Sequence, residues 1–181
     1  MGEIQRARKV RFITGILTQF PSAVDQVKKR LEKEFGPSDL SSALVPFYHS
    51  PYYSDEMGEN LYLRCFSFPK LVDPEELSEI KTWTNKLEKK LASSGKFEAA
   101  RPVNVDPGYV TLDKVVLAST QNMGHRIYLG DGIYAEITLG WAKSSFSARQ
   151  WTRDDFKSRK IIDFFNKGRG LYKRKVVLEE A

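Results

Sequence analysis

The stretch RPVNVDPGY, Arg101 to Tyr109, holds the residues best spaced for chemistry. If it is extended, alternation puts Val103 and Val105 on one face and Asn104 and Asp106 on the other, two strand rises apart. A carbonyl oxygen and a carboxylate held this way could share a Mg²⁺ that keeps several waters and also binds substrate phosphates. Arg101, three residues upstream, supplies a cation for the same phosphates. A plainer reading stands beside this one. Pro107 and Gly108 end the strand, and Asp106 bonds the backbone of the turn that follows.

A second constellation lies in HRIYLGDGIYAEITL. A Gly130-Asp131-Gly132 loop pairs Leu129 with Ile133, Ile127 with Ala135 and Arg126 with Glu136. Ile127, Leu129, Ile133, Ala135 and Ile137 then share one face, and Arg126, Tyr128, Tyr134, Glu136 and Thr138 the other. His125 beside an Arg126–Glu136 pair could bind a phosphate or carboxylate, or the pair is a plain cross-strand ion pair. Tyr128, like Tyr109, could pack against a planar base. Further candidates are Asp55 and Glu56 in SDEMGE, and Asn85 and Glu88 one helical turn apart in TWTNKLE. The latter two either tie their helix to a loop or line a pocket. His49 and His125 have no partner at zinc-ligand spacing. Phosphate-cradling glycine motifs and the Gly-x-Ser-x-Gly nucleophile turn are absent. The one cysteine, Cys65, reads as a small buried hydrophobe and cannot form an internal disulfide, which suits a reducing cytoplasm.

The positioning elements follow from periodicity. KVRFITGILT reads as a first strand, and Ser22 caps a helix with Val24, Val27, Leu31 and Phe35 on its buried side. LVPFYHSPYY is extended, SDEMGEN turns, and LYLRCFSF is a strand with Leu61, Leu63, Cys65 and Ser67 on one face. Asp73, Pro74 and Glu76 open the clearest helix, whose buried stripe is Leu77, Ile80, Thr84, Leu87 and Leu91. Strands follow at RPVNVD and LDKVVLAST, then the hairpin. Thr152 caps a last helix, weakened at Gly168 and Gly170, and residues 173–181 form a flexible tail. The order β-α-β-β-α-β predicts an α+β, ferredoxin-like antiparallel sheet with helices on one face, extended by a C-terminal β-hairpin and helix. The 181 residues suit one domain with a core over about 9–172.

No apolar run approaches the ~20 residues of a membrane helix, and the N-terminus fits neither a secretory leader nor a myristoylation site. The expected location is the cytoplasm. Net charge is +6, and Lys143 to Lys175 holds eleven Lys and Arg against three Asp. That basic third could meet RNA or a nucleotide phosphate.

The series FGPSD, PYYSDEMG, IKTWTNKLE, RPVNVDPGY and HRIYLGDGIYAEITL resembles the prokaryotic family catalogued as domain of unknown function 4416, from about Lys9 to Tyr172. A more distant resemblance is to the pterin pyrophosphokinases. That likeness implies a ferredoxin-like core, with an Arg and then an Asp-x-Asp binding Mg²⁺ in the strand after the second helix. Arg101, Asn104 and Asp106 fall at the like place, with a neutral, weaker ligand at Asn104. His125 and Arg126 loosely match a following His and Arg.

Two functions are therefore expected. One is a binding site for a nucleotide or other phosphorylated small molecule, with Mg²⁺ the cofactor for phosphoryl or pyrophosphoryl transfer. In it Asn104 and Asp106 hold the ion, and Arg101, His125 and Arg126 contact phosphate. Glu136 orients Arg126, and Tyr109 or Tyr128 packs the base. The other is a non-catalytic RNA-binding or assembly module using the basic C-terminal third.

Overall fold

The computed structural model describes residues 1–48 and 51–179; His49 lies outside them. Among the described residues, nine strands form one sheet in which every pair is antiparallel. In chain order the elements begin with β1 (Val10–Thr18), α1 (Pro21–Phe35), β2 (Leu40–Ser41), β3 (Val45–Pro46), α2 (Pro51–Met57) and β4 (Tyr62–Val72). A short 3-10 turn, Pro74–Glu76, leads into α3 (Leu77–Ala92), β5 (Asn104–Val110) and β6 (Lys114–Ser119). The chain closes with β7 (Ile127–Gly130), β8 (Ile133–Ala142), β9 (Ser145–Ala148), α4 (Asp154–Lys157) and α5 (Arg159–Glu179). Strand order is β2-β4-β1-β5-β6-β8-β7, with β3 also on β4 and β9 also on β8.

Both faces of the sheet are covered, not one. β1 is buried along its whole length because its alternate residues enter two cores. Phe12 and Ile16 pack with α1 and α3, against Val27, Leu31, Ile80, Leu87, Val103 and Val105. Ile13 and Leu17 pack with Leu63 and Cys65 against Met57 of α2, Phe156 of α4 and Ile161, Phe164 and Phe165 of α5. A near-continuous apolar run such as VRFITGIL is the mark of a strand buried on both sides.

The start of α3 is as read: Asp73 and Glu76 close a capping box around Pro74. Several local expectations are overturned. Ser22 is not a cap, since α1 begins at Pro21 behind Phe20 with no side-chain capping bond. SDEMGEN is not a turn; Ser54 to Met57 complete α2, and the chain reverses at Gly58, φ +91°. Thr152 does not cap a helix. Its hydroxyl donates to Thr138 O at 2.6 Å, and α4 begins at Asp154. The last helix is broken by extended Ser158 rather than by its glycines. Residues 173–179 are not a loose tail but continue α5, with Val176 buried and Lys175 Nζ on Pro69 O at 2.6 Å.

The hairpin keeps Ile127 opposite Ala135, with Arg126 reaching Glu136. Nearer its tip a bulge between Tyr128 and Gly130 sets Gly130 opposite Ile133, so the loop is Asp131-Gly132 alone. Both loop residues have positive φ, 54° and 74°, as a two-residue hairpin turn matching strand twist requires. Of the apolar face expected here, Ile133 is buried, against Leu77, while Ile127, Leu129 and Ile137 are exposed. No helix among the described residues is long and apolar enough to cross a membrane.

The largest departure is at Pro107-Gly108. The strand does not end there but runs on to Val110, paired with β1 from Asn104↔Leu17 to Val110↔Arg11. On its other side it pairs with β6 only over Gly108, Tyr109 and Val110. Proline is tolerated in a strand where no ladder N–H is needed, and glycine where another backbone comes close. A Cβ on Gly108 would lie 2.1 Å from Val116 O.

Candidate functional site

Beyond Gly108 and Leu117 the two strands diverge, and a cleft of about 240 Å³ opens between them. Asn104 and Asp106 line one wall, Leu117, Ala118 and Ser119 the other. Lys81 and Asn85 of α3 close it from behind, while Trp151, Arg153 and Phe156 border it on the α4 side. The volume is below the ~300–1,000 Å³ of drug-sized ligand sites.

Val105 would face this gap with bare main-chain groups. Two buried side chains of α3 replace the missing strand: Lys81 Nζ donates to Val105 O at 2.6 Å, and Val105 N donates to Glu88 Oε1 at 2.9 Å. The two charges lie 3.7 Å apart. Burial raises the carboxyl pKa of Glu88, against the pull of Lys81 and Arg101. Arg101 Nη2 bridges Glu88 Oε2, at 3.3 Å, and Asn104 Oδ1. Its backbone N–H donates to Glu56 O at 2.9 Å, and its Nη1 is 3.8 Å from Glu56 Oε2.

Arg153 is held on Asp155 by two bonds of 2.7 and 2.8 Å and reaches Asp106 Oδ2 at 3.2 Å. Its guanidinium lies over the rings of Phe47 and Phe156, a position that favours the cation. Burial pushes Asp106 toward the neutral form, but Arg153, Lys81, the Asn104 amide and Arg101 outweigh it and lower its pKa. On the β8 side, Glu136 Oε2 accepts from Arg126 Nε at 2.8 Å and is 3.1 Å from His125 Nε2; Thr138 donates to Oε1. Arg126 Nη1 also donates to Ser119 Oγ and Gln121 O. The His125 ring is stacked on Trp151, 5.2 Å between centroids.

The structure thus brings Arg101, Asn104, Asp106, Asn85, Arg126 and Glu136 to one cleft, with Glu88 and His125 bonded to its walls. Glu56 touches it only through Arg101, and Asp55 is exposed on α2. Tyr109 and Tyr128 are elsewhere. Tyr109 packs on the α3 face of the sheet, and Tyr128 lies against Tyr134 at the hairpin. The oxygens of Asn104 and Asp106 face Arg101 and Arg153, and no group of three or more His, Cys, Asp or Glu gathers among the described residues.

Four side chains were not anticipated. Lys81 stands one residue past Ile80 on the buried stripe and seven before Glu88, a spacing that could have marked the pair. Trp151, Arg153 and Ser119 carry no local signal, since each reaches the cleft through tertiary contacts.

The chain is therefore an α+β protein whose single antiparallel sheet parts to form a cleft lined by charged, amide and aromatic groups. It belongs to the family described as Domain of unknown function (DUF4416), whose model matches residues 8–172. No curated protein and no solved structure matches it.

Proposed function

We propose that the cleft binds a phosphorylated small molecule of mononucleotide size or smaller. The observation that carries this reading is the convergence of Lys81, Arg101, Arg126 and Arg153 from four separate segments on one cleft. Each is fixed by a neighbouring carboxylate, Glu88, Asp106, Asp155 or Glu136, two of which, Asp106 and Glu136, themselves line the cleft. Cations held in this way stabilise a ligand's charge without reorganising when it arrives. Trp151 takes the ring-packing role that Tyr109 and Tyr128 are too distant to fill. Within this proposal the core is ferredoxin-like. The order β2-β4-β1-β5, with α1 and α3 as its crossovers, supports that topology.

Mg²⁺-dependent phosphoryl or pyrophosphoryl transfer is the reaction class this site would suit. Asn104 and Asp106 would meet an ion that arrives on the ligand's phosphates, with Arg153 as its competitor for Asp106. A cytoplasmic location belongs to the same proposal, on the strength of one buried, unpaired cysteine.

A thermal-shift screen of mononucleotides, pterins and sugar phosphates, each with and without Mg²⁺, tests it. A ligand at a hundred times its dissociation constant adds about 2.7 kcal/mol of stability. The expected result is a shift by a phosphorylated compound that Arg126→Ala abolishes. A shift that also needs Mg²⁺ and is lost in Asp106→Ala supports transfer. Absence of any shift overturns the reading. It favours the RNA-binding alternative, for which Lys173 and Arg174 are exposed on α5 while Arg169 and Lys175 are bonded to main chain.

A further inference from the structure

The flank of α3 turned away from Lys81 and Asn85 borders a surface of a different character. Contacts of Phe35 with Trp83 and of Phe20 with Phe97 show that α1 and α3 run antiparallel on this face of the sheet. A groove of about 980 Å³ lies between them. Buried Leu87 and Leu91 lie at its floor, and its banks carry Lys29, Arg30, Lys33, Lys90 and Lys96. All five cations are exposed, and among the described residues none has an ion-pair or hydrogen-bond partner for its side chain. The one carboxylate of the groove, Glu32, is already taken by Lys28 Nζ at 2.6 Å and by the Ser38 hydroxyl at 2.7 Å. The second half of α3 offers no anion outward. From Lys86 to Lys96 its only acid is Glu88, which is turned inward onto Val105 N. Lys33 and Lys90 stand in the last turns of their helices, where cations meet bare carbonyls. Lys29 and Arg30 lie more than a turn before the end of α1, and Lys96 lies beyond α3, so that role does not account for them.

We propose that this groove docks an acidic amphipathic helix of a partner protein. The surface acts independently of the cleft. Two antiparallel helices leave a trough that a third helix fills by packing ridges into grooves. Two turns of helix, about 11 Å across and ~10.5 Å long, occupy ~1,000 Å³, which the groove matches. The aliphatic stems of lysine and arginine extend the apolar floor, while their charged heads stand at the rim. Lys29 and Lys33 are one turn apart on α1, so they meet carboxylates spaced by four residues on a partner helix. An apolar stripe flanked by Glu or Asp therefore satisfies floor and banks together. A nucleic-acid duplex would meet the banks and leave the floor uncovered. No aromatic side chain among the described residues lines the groove to stack an unpaired base.

Fluorescence anisotropy on the full chain tests this with four labelled probes. The first is a synthetic helix of about 20 residues, with leucine at i, i+3, i+4 and i+7 and glutamate on both flanks. The second has the same residues reordered so that no face is apolar. The third is polyglutamate of equal charge, and the fourth a short RNA duplex. The amphipathic helix should bind more than about tenfold tighter than the reordered peptide or polyglutamate, and more weakly as salt rises. Lys29→Glu, Lys33→Glu and Lys90→Glu together should weaken it by more than about tenfold. Lys173→Ala with Arg174→Ala, on the other face of the sheet, should leave it unchanged. Equal binding of the reordered peptide or polyglutamate overturns the inference, because charge alone then suffices. Tighter binding of the RNA duplex, lost in the triple variant, overturns it in favour of a nucleic-acid surface. Absence of binding by the amphipathic helix overturns it outright. These comparisons among probes use the wild-type chain, so they do not depend on how the variants fold.

Discussion

Lys81 donates to the carbonyl of Val105 at 2.6 Å, doing for β5 what a neighbouring strand would do. With Glu88 on the adjacent N–H, one face of α3 becomes the edge partner of a strand that has lost its own. A lysine and a glutamate on a buried helical stripe would each be costly alone. Together they satisfy two main-chain groups and each other.

Glu88→Ala should therefore destabilise by ~2–4 kcal/mol, since it strands both the Val105 N–H and the Lys81 charge. Glu88→Gln, which keeps an acceptor, should cost less. The pKa of Glu88 is raised by burial above its usual 4.5. The folded protein thus takes up its proton more readily than the unfolded chain. Acidification through the raised pKa toward 4.5 stabilises wild type relative to Glu88→Gln, which cannot titrate. Urea melts of the two proteins between pH 7 and 4.5 would show wild type gaining on the variant. A constant gap would mean that the carboxylate is already well solvated.

Asp106 titrates in the opposite sense. Its pKa is lowered beneath 3.8 by Arg153 and the nearby cations despite burial, so its charged form stabilises the fold above that pH. Asp106→Asn should cost ~1.5–3 kcal/mol at pH 7, the scale of a hydrogen bond to a charged group. The loss stays modest because Arg153 keeps its two bonds to Asp155. The difference should shrink as pH falls below 3.8, where wild type loses the same charge. Melts at pH 7 and pH 3 check this, and an undiminished gap at pH 3 would count against the Arg153 contact as its source.

What the sequence made legible was local. Asp73, Pro74 and Glu76 declare a helix start within four residues, and the Arg126–Glu136 pairing follows from hairpin alternation. What it hid depended on absent or distant partners. Asp-Pro-Gly looks like a turn because nothing nearby says that β6 leaves β5 where the proline stands. Thr152 looks like a helix cap because its acceptor, Thr138 O, is fourteen residues away in sequence. Arg101, Asn104 and Asp106 were found by spacing alone. Their bonding was not, since Glu88 and Arg153 arrive from other elements.

Gly108 carries a prediction independent of any ligand. An added methyl would sit 2.1 Å from Val116 O and 2.7 Å from Leu117 Cδ2, and the first of these is main chain that cannot rotate away. Gly108→Ala should destabilise by at least the ~1–3 kcal/mol typical of overpacking, through separation of β5 from β6. Gly170→Ala is the control. It lies on α5 with nothing near its would-be Cβ, so alanine there should be neutral or stabilising. Thermal melts of the two variants should move in opposite directions or differ widely. Similar melting temperatures would mean that β5 and β6 can slide apart at little cost.

Cys65 lies fully buried beneath the cleft, in the core shared by Leu63, Phe156 and Phe165. Burial first, and then the Asp155 carboxylate, raise its thiol pKa well above the usual value. The thiolate is the reactive form, so both access and ionisation protect it. Iodoacetamide at pH 8 should label the native chain more than ~100-fold more slowly than the chain in denaturing urea, with the native rate following the opening equilibrium. Glu88→Ala should speed that labelling in proportion to its loss of stability, because the opening that exposes Cys65 breaks the same sheet. Ligand bound in the cleft should slow it further. Labelling of native and denatured protein at similar rates would instead place Cys65 at an accessible surface, where its thiolate could act as a nucleophile.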